Sequence, residues 1–136
     1  MGTASTLACI LVGLGLMPFR GATAPAVAAI QQNLRPQSLL SKESFLNALT
    51  VLQAIGGSTN AVVHLMAIVG RHADPNVSKG ITLDTVDDIG RKTPLLVDLK
   101  PSGDNYMTDL HNSGGIEGSS RRAEAVAVPR RNDCYW

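Results

Sequence analysis

Apolar residues recur along most of this chain at the three- and four-residue spacing of helices, and glycine, proline and hydroxyl residues punctuate them. Thr3 to Leu16 reads as a helix of small and aliphatic residues that Pro18 and Gly21 end. Its small side chains permit close approach of a neighbouring backbone. A turn at Thr23-Ala24-Pro25 leads to a short helical piece from Ala26 to Asn33. Arg35 is then held extended, because the ring of Pro36 crowds the helical region of its predecessor.

Ser41 is placed to cap the next helix, with Leu40 and Phe45 spaced as a hydrophobic staple. Leu46, Leu49, Leu52 and Ile55 continue its apolar stripe to a stop at Gly56-Gly57. Ser58 is expected to cap the following helix by accepting from amides two or three residues on, and Val62 to Val69 is apolar on every face. A surface helix is not written that way. It belongs inside a larger protein, its amide-rich start facing an anion or a polar site. After a polar loop, His72 to Asn76, Thr82 caps a third helix. Asp84, Asp87 and Asp88 lie near its start and Arg91 and Lys92 at its end, the order the helix dipole favours, with Leu83, Val86 and Ile89 as the buried face. Beyond Pro94, Leu95 to Leu99 is a short apolar run suited to a strand in a buried sheet, followed by the loop Lys100-Pro101-Ser102-Gly103. Ligands of open α/β sheets bind at that end of a strand. The predicted fold class is therefore α/β, mostly helical, with one short buried strand.

Composition narrows the function. The chain has 136 residues, 44% of them hydrophobic and 17% charged, which suits one domain with a core to bury. A net charge of +1 without long runs, and one Trp, two Tyr and two Phe, supply neither the electrostatic footprint nor the stacking platform of a nucleic-acid binder. Two cysteines, Cys9 and Cys134, form no metal-ligand spacing and no disulfide framework, so a reducing intracellular setting is expected. The run Leu7 to Met17 lacks a basic leader and is too short and glycine-rich to span a bilayer, for which about 20 apolar residues are needed. No membrane partner is expected.

Four motifs stand in order: Met1-Gly2-Thr3-Ala4-Ser5-Thr6, Gly56-Gly57-Ser58-Thr59-Asn60, Asp98-Leu99-Lys100-Pro101-Ser102-Gly103 and His111-Asn112-Ser113-Gly114-Gly115. Together they make the chain resemble the dihydroxy-acid and sugar-acid (phosphogluconate, arabinonate-type) dehydratases. The resemblance runs from Met1 to about Ile116 and covers a middle slice of a subunit roughly four times longer. It implies a fragment of the N-terminal α/β domain of that family, residues 1–116, from which roughly 15 to 20 residues are missing near Ala29 to Gln31. Residues 117–136 break the pattern. Codons can be chosen for Gly118 to Trp136 that, read one nucleotide later, spell A-L-L-D-E-L-R-P-L-L-Y-L-D-A-M-T-V-T-G, which is similar to how the family continues. The tail is accordingly expected to be frame-shifted and disordered, with a natural basic tail as the alternative.

The resemblance implies a hydro-lyase. Such enzymes remove water from a 2,3-dihydroxy acid to leave a 2-oxo acid, using Mg²⁺ to acidify the C2 proton and an iron–sulfur cluster to draw off the C3 hydroxide. It also implies a homo-oligomer, cytoplasmic or mitochondrial, in branched-chain amino-acid synthesis or sugar-acid breakdown. None of the family's cluster cysteines, Mg²⁺-binding acids or catalytic base maps onto this chain. The nearest cluster cysteine precedes the Met-Gly-Thr motif, and Cys9 follows it on an apolar helix, where a buried inert thiol is expected. Catalytic and metal residues are therefore assigned to none. Ser58, Thr59 and Asn60 are candidates to line the substrate or cofactor site, against the plainer roles of cap and buried amide. Lys100 is a candidate for an anionic substrate or an intersubunit carboxylate, against simple solvation. His64 and His111 read as hydrogen-bonded structural residues. Two alternatives to an enzyme fragment stay open: a non-catalytic remnant that exposes apolar helices and aggregates, and a free-standing anion-binding module at the Ser58 helix start.

Overall fold

The computed structural model describes residues 2–16, 27, 29–100 and 103–115. The expected stops at Pro18 and Gly21, the Thr23-Ala24-Pro25 turn, Pro101-Ser102 and the tail 117–136 lie outside these residues. Helices α1 (Thr3–Gly13), α2 (Pro36–Leu39), α3 (Lys42–Ala54), α4 (Thr59–Gly70), α5 (Pro75–Ser78), α6 (Leu83–Lys92) and α7 (Met107–Asn112) follow in chain order. Helix α3 is the centre. It packs most extensively on α1 and on its other side against α6, while α4 rests on α1 and α5. Ile10, Leu14, Phe45, Ala48, Leu49, Leu52, Ala61, Leu65, Val69, Val77, Ile81 and Val86 form one continuous core.

Local chemistry accounts for several element ends. Ser41 Oγ accepts from the Ser44 amide at the start of α3, and Leu40 packs against the cluster that holds Phe45. At the other end Gly56, at φ 58°, takes the left-handed conformation that a side chain resists. The Gly57 amide then reaches back to Leu52 O and the Gly56 amide to Gln53 O, closing the last carbonyls of α3 in a Schellman turn. Thr82 and Thr85 cap α6 reciprocally. Arg35 is extended, as expected before proline, and Pro36 opens the single turn of α2. Asp74 caps a further turn, α5, inside what reads as a plain polar loop.

The small residues of α1 do bring backbones together. A Cβ added to Gly13 would lie 3.0 Å from Ala48 Cα. Two expectations need correction. The strand at Leu95 to Leu99 is not formed: 94–98 is irregular, Leu95 is exposed, and Leu99 makes only an isolated bridge to Asn105. A strand needs a neighbour to take its amides and carbonyls. None is present among the described residues, so the Leu96 amide bonds to Ala54 O at the end of α3 instead. The described part is thus helical and contains no sheet. Leu83 is 67% exposed, leaving Val86 and Ile89 as the inward side of α6. Helix α4 is not enclosed: Ala61, Leu65 and Val69 are buried, while Val63 and Ile68 on the other side face outward. Among the described residues no helix is long and apolar enough to cross a membrane.

Candidate functional site

The close packing of α1 on α3 and the tight Gly56-Gly57 turn set two helix starts beside each other. Gly57 has no room for a side chain, since an added Cβ would lie 2.6 Å from Leu52 Cδ1 and 2.7 Å from Thr6 Cγ2. That contact brings the chain leaving α3 against the first turn of α1. The Ser58 amide donates to Thr6 Oγ1 at 3.1 Å, and the Thr6 hydroxyl donates to Gly2 O at 3.0 Å. Thr3 Oγ1 and Ser58 Oγ are 3.2 Å apart, Asn60 Nδ2 is 3.5 Å from Thr3 Oγ1, and the same amide is 3.2 Å from His64 Nε2. Two motifs more than fifty positions apart thus become one polar cluster.

Ser58 does not act as the expected side-chain cap; its hydroxyl is turned to Thr3. Gly2, before α1, has no side chain with which to cap. Neither helix start is closed, so first-turn amides and the positive ends of two helix dipoles, of 11 and 12 residues, stand together. Such a pair suits a carboxylate or a polarised hydroxyl. Thr59 is exposed at the first position of α4. Thr3 and Thr6 were not singled out, although their i, i+3 spacing places both on one side of a helix start.

Lys100 is committed elsewhere. Its ammonium donates to the Tyr106 hydroxyl at 2.7 Å and lies 4.1 Å from the ring centre. The Asp98 carbonyl accepts from the Asn105 backbone and side-chain amides, holding 103–105 close against 98–100, where a Cβ on Gly103 would overlap Asp98. A cavity of about 370 Å³ lies against Lys100, Tyr106 and Thr108. No hydrogen bond joins Lys100 to the Ser58 cluster among the described residues. His111 is exposed in the last turn of α7.

The described residues hold no donor set for an iron–sulfur cluster or a divalent cation. Among the described residues no three of His, Cys, Asp and Glu converge. Cys9, buried in α1, has its thiol pushed up from 9.0 to about 11 by burial, the reverse of what thiolate ligation needs. With Cys134 replaced by serine, Cys9 is expected to resist a thiol reagent at about pH 8, where on the order of one thiol in a thousand is ionised, and to react once urea unfolds the chain. Rapid native labelling, timed with a coloured disulfide reagent, would overturn this. Because the folded state favours the neutral thiol, this contribution to stability is intact below about pH 9 and is lost as pH climbs towards about 11.

The described helices thus bring two motifs into one polar cluster at helix starts without side-chain caps, and they leave the apolar outer face of α4 uncovered. The family model for the dihydroxy-acid/6-phosphogluconate dehydratase N-terminal domain matches residues 1–125, and the chain belongs to that family. It is 39% identical over 132 residues to a dihydroxy-acid dehydratase of Prochlorococcus marinus subsp. pastoris, covering 85% of this chain and 23% of that protein. It is 38% identical over 145 residues to the dihydroxy-acid dehydratase of Pyrococcus abyssi, covering 94% and 25%. A Synechococcus sp. (strain CC9605) dihydroxy-acid dehydratase is 49% identical over 90 residues, covering 66% and 15%. The chain therefore spans about a quarter or less of the length of these relatives.

Proposed function

We propose that this chain is part of a hydro-lyase that converts a 2,3-dihydroxy acid to a 2-oxo acid and water, and that its Thr3-Ser58-Asn60 cluster lines the substrate site. The observation that supports this is the meeting of the Met-Gly-Thr-Ala-Ser-Thr and Gly-Gly-Ser-Thr-Asn segments at two uncapped helix starts. In the reaction a carboxylate and two hydroxyls must be held while negative charge builds on the C2 side. First-turn amides and the Ser58 and Asn60 side chains donate to such oxygens. Cluster and metal chemistry belongs to the remainder of an intact, homo-oligomeric subunit, since the described residues hold no ligand set for either.

The test is a chimaera in which residues 1–116 replace the matching segment of the Pyrococcus abyssi relative, assayed for 2-oxo acid released from a 2,3-dihydroxy acid. Ser58→Ala and Asn60→Ala are each expected to lower kcat/KM by about tenfold or more. An active chimaera in which both variants match their parent would sink the assignment of the cluster. A second reading, a remnant inactive on its own, is favoured by the same missing ligands and by the uncovered Val63 and Ile68. Turnover by the isolated chain would remove it.

A further inference from the structure

The outer side of α4 and the loop behind it border a second cavity, of about 610 Å³, across from α2. Leu40, Ala67 and Ile68 give it an apolar floor, and His64, Arg71 and His72 bring nitrogen donors to its edge; no carboxylate lines it among the described residues. Both imidazoles are held in a defined state. Asn60 Nδ2 lies 3.2 Å from His64 Nε2, and because an amide nitrogen only donates, that ring nitrogen accepts and Nδ1 carries the proton. The Asp74 amide donates to His72 Nδ1 at 3.1 Å, which puts the proton of the neutral ring on Nε2. The His72 ring is further fixed edge-on to Phe45, with centroids 6.0 Å apart. Each ring therefore retains an N–H that no described residue uses, and the Arg71 guanidinium has no acidic partner among the described residues.

We propose that this groove binds a small aliphatic carboxylic acid. Its carboxylate is held by Arg71 and the two imidazole N–H groups, and its hydrocarbon body lies on Leu40, Ala67 and Ile68. Donors that line one groove with no acid among its described lining residues favour an anion. A few polar groups above an apolar floor, in a volume of several hundred Å³, suit a small organic ligand. The groove uses neither Ser58 nor Thr3, so it stands or falls apart from the reading of the hydroxyl cluster.

The experiment is a titration of the full chain followed through the histidine ring nitrogens in long-range ¹H–¹⁵N spectra, with isovalerate, inorganic phosphate and a glutamate-rich peptide as separate probes. Isovalerate is expected to shift both the His64 and His72 signals saturably, and Arg71→Gln to weaken it by about tenfold or more. Ala67→Leu, which fills the floor and leaves every donor in place, is expected to block it, while Leu83→Ala, on the exposed side of α6, leaves it unchanged. Unchanged far-UV circular dichroism checks that each variant is folded. Absence of a saturable shift, or indifference to Arg71→Gln, overturns the proposal. So does phosphate binding as tightly as isovalerate, since the apolar floor then plays no part. Binding of the peptide alone also overturns it and makes the groove a docking surface for acidic chain.

Discussion

Replacing Phe45 with alanine is expected to lower the stability of the folded chain by about 3–5 kcal/mol. Phe45 is the largest side chain of the core and is 1% exposed, and its ring also supports the imidazole of His72. Its removal takes away apolar burial and leaves a void that the rigid α1–α3 contact cannot close. A small domain holds only about 5–15 kcal/mol in total, so the variant is expected to be largely unfolded near body temperature. Urea titration of the parent and the variant, read at matched slope, measures the loss. A difference under about 1 kcal/mol would mean that the ring is not packed as described.

The second large effect is expected at Gly13. In an exposed helix, exchange of glycine for leucine gains close to 1 kcal/mol of propensity. At Gly13 the sign reverses, because a Cβ would sit 3.0 Å from Ala48 Cα and 3.3 Å from Val51 Cγ2, and backbone cannot step aside as a side-chain tip can. Gly13→Leu is therefore expected to cost about 1–3 kcal/mol or more by forcing α1 off α3. Gly70 supplies the contrast, since nothing lies within 4 Å of its added Cβ. There Gly70→Ala is expected to gain about 0.4–1 kcal/mol, and equal effects at the two glycines, compared by thermal melting, would refute the close approach.

What could be read from the sequence was what neighbours along the chain decide. Ser41 and Thr82 cap helices because the amides they serve are three residues away. Gly56 ends α3 because only its own backbone must turn. Ser58 has the same signature, yet its hydroxyl goes to Thr3, a partner no local rule can name. The run Leu95 to Leu99 has the right composition for a strand, but a strand exists only with a second one beside it, and composition does not say whether it is there. The site was legible in the same measure. Ser58 and Asn60 stood out by their place at a helix start, whereas the parts of Thr3, Thr6 and Tyr106 and the common groove of His64 and His72 required the fold.

The tie between Thr6 and the Ser58 amide closes a stretch of chain 52 positions long. The contact of α3 with α6 also spans a long stretch, 33 positions from Gln53 to Val86, whereas α4 meets α5, its neighbour in the chain. Loop-closure entropy rises with the logarithm of that separation, so the α4–α5 contact forms early in folding and the packing of α3 on α1 and α6 comes late. During synthesis at about 5–20 residues per second, the apolar first helix emerges and waits on the order of seconds for the surface that will bury it. For that interval Ile10, Val12 and Leu14 are open to any other sticky chain. The interval of greatest exposure for α1 therefore lies before α3 has left the ribosome, and chaperone dependence should track the apolar face of α1.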